Sequence, residues 1–293
     1  MIPQAFINDW MAHAPWANQR QVEQDLLICR ALCDLFNAPA LKGRIAFRGG
    51  TAINKLLFER PLRYSEDIDL VQTIPEPIGP TLDAIREALS WVGTPIRKIA
   101  GHSMHLMYRF HPEAAPTERL QLKVEMNTRE HAHLMGLRQM PFAMENGWYS
   151  GRCEITTFAP EELFGTKLRA LLQRRKNRDL FDMHHGLKGL GLDPDRVIAA
   201  FRHYLGLEGV TITRAQAEER MLRRLVASLT DDIGPMLPAG VRFEVPDAIE
   251  AFEKVWVELI ARLPGDGWKM MAKVLEELRE KKFPHLLRET ALS

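Results

Sequence analysis

The sequence predicts an α/β (α+β) fold, in which a mixed sheet with helices is followed by a C-terminal helical domain. Three observations point to it. Residues 119–127 alternate strictly: Leu120, Leu122, Val124 and Met126 on one side, Gln121, Lys123, Glu125 and Asn127 on the other. That period of two is the pattern of a half-buried strand. Upstream, short apolar runs are separated by glycine and proline turns. From Pro160 onward, apolar residues recur at helical spacing almost throughout.

Taken in order, Val22, Leu26, Leu27, Cys29, Leu32, Cys33 and Phe36 place a helix over about 17–37. Ile45-Ala46-Phe47 then leads into Arg48-Gly49-Gly50-Thr51, a strand entering a tight turn. Thr51 is the expected cap of a helix over 52–58. Asp67-Ile68-Asp69-Leu70-Val71 is a short strand of alternating polarity. Pro75, Pro77, Gly79 and Pro80 mark a loop before an amphipathic helix over 81–92. Strands follow at about 95–100, 103–111 and 119–127, with another near 154–158. The helical half reads as segments at about 160–175, 178–189, 194–205, 213–229, 247–262 and 267–282. The simplest division is an N-terminal α/β domain over 1–158 and a C-terminal helical domain over 159–293.

The chain has 293 residues, 46% hydrophobic and 26% charged, an ordinary globular composition. A formal net charge of +1 gives no global case for nucleic-acid binding, so any basic surface has to be local. The start lacks the basic-then-apolar pattern of a signal peptide, and no run of about 18 apolar residues offers a membrane span. Cys29, Cys33 and Cys153 are odd in number and scattered, which suits a reducing, cytoplasmic setting. Cys29 and Cys33 share a helix face and read as packing residues.

Chemistry concentrates in Phe47-Arg48-Gly49-Gly50-Thr51 and Ser65-Glu66-Asp67-Ile68-Asp69-Leu70. Carboxylates at i and i+2 on a strand project from the same face. Magnesium takes oxygen ligands, commonly one or two carboxylates plus substrate phosphates. Phosphoryl chemistry often uses two such ions about 3.5–4 Å apart. A Gly-Gly-Thr turn lets backbone lie close to a triphosphate, with amides and a hydroxyl donating at a helix start. An Asp-x-Asp alone is usually an exposed strand face, and a lone Gly-Gly-Thr is usually a turn. The ordered combination is far more specific.

Here the chain resembles the AbiEii/AbiGii nucleotidyltransferase toxins, a branch of the polymerase-β-like nucleotidyltransferase superfamily. The resemblance rests on Arg48-Gly49-Gly50-Thr51-Ala52, on Tyr64-Ser65-Glu66-Asp67-Ile68-Asp69, and on Lys167-Leu168-Arg169-Ala170 followed by Arg178-Asp179-Leu180-Phe181-Asp182. It spans roughly residues 45–190. It implies Asp67, Asp69, Lys167 and Asp182 as catalytic residues, with Asp67 and Asp69 as ligands of Mg2+ or Mn2+. It implies Arg48, Gly49, Gly50, Thr51, Ser65 and Lys167 as the nucleotide-binding set, Lys167 contacting the phosphates. The implied activity is transfer of NMP from an NTP to an RNA acceptor, the tRNA 3′ end. A DNA-binding antitoxin encoded beside the toxin, and a place in phage defence or plasmid maintenance, are implied as well. The Thr51-to-Asp67 spacing is longer than in the shortest superfamily members.

The second block also stands on its own chemistry. Residues 163–188 hold seven Lys/Arg and two acids, the local basic patch that the overall charge conceals. A turn at Lys176-Asn177 would fold the next helix back and bring Asp182 towards Lys167. Arg174, Arg175, Lys176 and Arg178 are the candidate RNA-binding residues, against the plainer reading of a solvated charged hairpin. Glu125, on the polar face of its strand, is the candidate third metal ligand. Ser65, two residues before Asp67, shares its strand face if the strand reaches that far. His131-Ala132-His133 and His184-His185 read as loop and flanking residues, and Gly186 to Gly191 follows no strand. Two rivals remain: nucleotidylation of a small molecule such as an aminoglycoside, and a catalytically silent interaction protein.

Overall fold

The structure, a computed structural model, describes residues 2–101, 103–113, 115–226 and 229–288. The chain divides into two compact units, residues 1–159 with 236–241, and residues 160–235 with 242–293.

The first unit runs α1 (Gln4–Trp10), α2 (Gln19–Asn37), β1 (Ile45–Arg48), α3 (Gly49–Leu56), β2 (Asp67–Gln72), α4 (Ile78–Ala88), β3 (Ile96–Ala100), β4 (Ser103–Phe110), β5 (Leu120–Asn127), β6 (Leu137–Glu145) and β7 (Ser150–Phe158). Its strands form one sheet in the order β3-β4-β5-β2-β1-β7-β6. The β1–β7 and β2–β5 pairs are parallel and the others antiparallel, so the sheet is mixed. Asn18 caps α2 by accepting from the Arg20 amide. The apolar stripe of α2, including Leu26, Ile28, Leu32 and Leu35, packs in one core with Phe47, Ile68, Leu70, Leu122 and Val124. Burying one side of each strand in this way turns Asp67, Asp69, Lys123 and Glu125 to the opposite face of the sheet. Cys29 and Cys33 are buried in the same core, and burial pushes the Cys29 thiol up to about 12.

Residues 236–241 return to this unit. Tyr64 N–H donates to the Met236 carbonyl at 2.7 Å, and Ala239 N–H to the Pro15 carbonyl at 2.8 Å. A single cut near residue 158 therefore does not describe the units. Other expectations shift for local reasons. The helix expected over 81–92 begins at Ile78, because Pro80 sits in its first turn, where no amide donor is needed. β6 escaped the sequence reading because Pro141 interrupts it. It lies at the sheet edge, where proline is tolerated.

The second unit is helical: α5 (Pro160–Gln173), α6 (Asn177–Gly189), α7 (Pro194–Leu207), α8 (Arg214–Val226), α9 (Val245–Val255) continued by a π-turn over Trp256–Ile260, and α10 (Met271–Lys281). The last carbonyls of α5 lack intrahelical partners. Arg220 donates to the Leu172 carbonyl at 3.1 Å, and Arg224 donates to those of Leu171 and Arg174. Lys176 gives no side-chain cap to α6, and Asp232 instead accepts from the Asn177 amide at 2.9 Å. No helix among the described residues is long and apolar enough to cross a membrane.

Candidate active site

Strand register assembles a row of charged side chains across four strands. Arg48 on β1 pairs with Asp69 on β2, Asp69 with Glu125 on β5, and Glu125 with His105 on β4. One step along, Asp67 pairs with Lys123. Side chains of paired residues share a face, and adjacent strands lie about 4.8 Å apart, so these groups are immediate neighbours.

The contacts bear this out. Lys123 Nζ lies 3.0 Å from Asp67 Oδ2 and 3.3 Å from Glu125 Oε2, and His105 Nε2 is 3.3 Å from the same Glu125 oxygen. Arg48 pairs with Glu130, which Asn127 positions by accepting from the amides of Arg129 and Glu130. The electrostatics are uneven. Desolvation, reinforced by Asp67 and Glu125, pushes the Asp69 carboxyl up to about 6 against the pull of Lys123 and Arg48. Burial pushes Glu125 upward too. A Ser103 hydrogen bond, Lys123 and His105 outweigh it and hold that carboxyl below its usual range. Burial works against the Lys123 ammonium, yet Asp67 and Glu125 leave its pKa raised.

The geometry at Gly49 explains why a glycine opens α3. Its φ of +82° suits a residue without a Cβ, and a Cβ there would lie 2.1 Å from Asp69 Oδ2. Gly49→Ala is therefore expected to displace the Asp69 carboxylate and cost about 1–3 kcal/mol of stability. Urea unfolding of the variant measures it, and unchanged stability would refute the close approach.

Thr51 is not the helix cap. The helix begins at Gly49, and Thr51 is buried in its first turn. Its hydroxyl lies 2.7 Å from Ser65 Oγ and donates to the Asp67 carbonyl, so Thr51 ties α3 to the start of β2. Ser65 precedes the strand, which starts at Asp67, and is held by Thr51 rather than by strand pairing.

In the second unit, α6 folds back on α5 and Lys167 meets two acids. Its Nζ lies 3.2 Å from Asp179 Oδ1 and 2.9 Å from Asp182 Oδ2, all three side chains being almost fully buried. Arg174 clasps Asp179 with two hydrogen bonds of 2.8 and 2.9 Å. Burial raises the Asp179 carboxyl, but Lys167 and Arg174 outweigh it and hold it below its usual range. Arg174 is thus committed to an internal pair, whereas Arg175 and Lys176 are exposed and Arg178 is half-buried. His131 binds the Gln72 carbonyl at 2.7 Å. His184 is buried, and desolvation together with His185 lowers its pKa to about 4.

Sequence reasoning missed three residues here. Lys123 was read only as a neighbour of Glu125, and His105 and Glu130 were not singled out. The alternation that places Glu125 also places Lys123 on that face, so that signal was present. His105 needs the β4–β5 register and Glu130 a chain reversal, neither of which shows in a linear pattern.

A sequence model described as nucleotidyl transferase AbiEii toxin, type IV toxin–antitoxin system, matches residues 30–258. The chain belongs to the AbiEii family. It is accordingly a nucleotidyltransferase toxin of a type IV toxin–antitoxin system. Among solved structures it is similar to MenT4, a nucleotidyltransferase toxin from Mycobacterium tuberculosis. Identity is 16% and the TM-score 0.62, over 95% of this chain and 98% of that one. JHP933 from Helicobacter pylori aligns at 16% identity with a TM-score of 0.49, over 90% of this chain and 98% of that one. At 16% identity the likeness to MenT4 is one of fold. No curated protein matches by sequence. Gly49-Gly50-Thr51 and Asp67-Ile68-Asp69, on which the sequence resemblance rests, fall on α3 and β2 of the first unit.

The chemistry of the donor set fits a divalent metal. Among the described residues no three His, Cys, Asp or Glu side chains form a ready-made metal cage. A magnesium site of the substrate-completed kind needs only one or two carboxylates. Asp67 and Asp69 meet that need with hard oxygens on one sheet face, and Asp67 and Glu125 add to the burial that raises the Asp69 carboxyl. A raised carboxyl contributes stability below its unfolded value of 3.8 and loses it as pH rises through about 6. Metal-free Asp69→Asn should therefore be more stable than wild type at pH 8, by about 1–2 kcal/mol after discounting for partial exposure. The difference should vanish near pH 4. Thermal melts in chelator across pH test it, and a pH-independent difference would refute it.

Proposed function

We propose that this toxin transfers NMP from an NTP to an RNA acceptor, the tRNA 3′ end, in a reaction dependent on Mg2+ or Mn2+. The observation that carries the reading is the row Arg48–Asp69–Glu125–His105 with Asp67 beside it, an anionic surface next to a glycine turn. An acceptor hydroxyl attacks the α-phosphorus, the bond to the β-phosphate oxygen breaks, and pyrophosphate leaves. Asp67 and Asp69 would hold the metal, with Glu125 as a third oxygen. When bound, it supplies charge neutralisation and orients the acceptor and triphosphate. The chain's own residues do the rest. Gly49 and Gly50 let the backbone approach the phosphates at the start of α3. Thr51 fixes the Ser65–Asp67 segment, and Arg48, steadied by Glu130, sits beside Asp69 as a cation.

Arg175, Lys176 and Arg178 are proposed as the RNA contacts of the second unit, with Arg174 contributing through its hold on Asp179. The type IV family implies an antitoxin partner. We take it to be the DNA-binding kind encoded beside the toxin, in phage defence or plasmid maintenance.

Phosphate contacts release counterions, so RNA binding through this turn weakens with salt. Replacing Arg175 and Lys176 together by Ala is expected to raise the KM for tRNA and reduce the salt slope by about 1–2. Transfer to tRNA across a salt series measures it. An unchanged slope places the RNA elsewhere. Label accepted by an aminoglycoside and by no RNA would favour the small-molecule reading instead.

A further inference from the structure

Lys123 stands where the chemistry of a metal site leaves no obvious place for it. On β5 it is two residues from Glu125, and its register partner on β2 is Asp67. Its ammonium bridges the two acids, at 3.0 Å from Asp67 and 3.3 Å from Glu125. It is itself half-buried, with 22% of its side chain exposed, so those carboxylates serve it in place of solvent. The other nearby cation, Arg48, is already paired with Glu130. Asp67 and Glu125 thus share one closely held ammonium, with the His105 ring also 3.3 Å from Glu125.

A divalent ion on Asp67 and an ammonium on Asp67 repel at contact distance, and both draw on the same oxygen lone pairs. A lysine ammonium is a compact charge on a flexible four-carbon stem, so it can leave without moving the strand. A bound triphosphate would offer it new oxygens.

We propose that Lys123 is a tethered cation that occupies the carboxylate site of the metal-free protein, and that it must withdraw towards the triphosphate for a divalent cation to bind. Lys123 is then a positioning residue that suppresses metal uptake by the nucleotide-free toxin and links metal entry to nucleotide entry. The proposal rests on the metal-dependent reading of Asp67 and Asp69, and deepens it.

The test measures Mn2+ binding to nucleotide-free full-length protein, by the electron paramagnetic resonance of the free aquo ion. The set is wild type, Lys123→Met, Lys123→Gln, Lys123→Arg and Asp69→Asn, with circular dichroism of each. Removing the ammonium should tighten Mn2+ at least about tenfold in the Met and Gln variants. Arg, which keeps the charge, should stay within about threefold of wild type. The Gln variant keeps hydrogen-bond donors, so it carries the test if the Met variant fails to fold. A merely structural lysine would alter stability but not tighten the metal. Equal Mn2+ affinity in wild type and the neutral variants, with binding lost in Asp69→Asn, overturns the role of Lys123 and leaves the metal reading standing. No Mn2+ uptake by any variant overturns both.

Discussion

Asp67→Asn and Asp69→Asn are each expected to lower nucleotide transfer at least about a thousandfold while leaving the fold intact. On the proposed metal-dependent reading, each substitution would remove a formal charge and a carboxylate oxygen from the point where phosphate charge is neutralised. A loss of about 4 kcal/mol of transition-state stabilisation corresponds to that factor. The fold should survive because both side chains project from the sheet face opposite the core that holds Ile68 and Leu70. Lys123 loses one acid in Asp67→Asn but keeps Glu125 at 3.3 Å. Single-turnover transfer assays beside circular dichroism measure both halves. Retained transfer at unchanged magnesium dependence, in either variant, removes the pair from the mechanism.

Lys167→Met is expected to destabilise the helical unit by about 3–5 kcal/mol, the usual cost of taking one partner from a buried ion cluster. Family resemblance assigns Lys167 to the phosphates and so to kcat, yet its ammonium is 5% exposed and held between two buried acids. Without it, Asp182 loses a cation at 2.9 Å in surroundings that do not solvate a carboxylate. Asp179 keeps the bidentate Arg174. The double variant Lys167→Met with Asp182→Asn should recover part of the loss, because a buried carboxylate charge beside the missing ammonium is gone. Urea unfolding of wild type, single and double variants reads the cycle. Wild-type stability in Lys167→Met would show that the cluster does not hold the unit together. A fall in kcat in a variant shown to be folded would then belong to the phosphate role.

The legible parts of the fold were those in which a single face is buried. The alternation of residues 120–127 placed β5 and its polar face together. Helical periodicity placed α5 to α10 within a few residues. β6 was obscured by Pro141, and α1 by its short length and mixed polarity. The return of residues 236–241 depends on backbone hydrogen bonds from Tyr64 and Ala239, which no side-chain pattern announces. At the candidate site, Asp67 and Asp69 were readable because spacing of two on a strand fixes a common face. The pairing of Asp69 with Glu125 was not, since β2 and β5 are separated by about fifty residues and meet in parallel. Thr51 misled for a physical reason. A hydroxyl at a helix start often caps the helix, but this one lies inside the first turn and is bound to Ser65 and Asp67.

Following both ends of the triphosphate tests the nucleotidyl-transfer reading most directly. Purified protein is incubated with tRNA and Mg2+, using each NTP labelled at the α- or the γ-phosphate, with Asp69→Asn and chelator controls. Nucleotidyl transfer puts the α-label in the RNA and the γ-label in free pyrophosphate, and both signals vanish in Asp69→Asn and in chelator. Appearance of the γ-label on the acceptor, or α-label transfer that persists in Asp69→Asn, would contradict it.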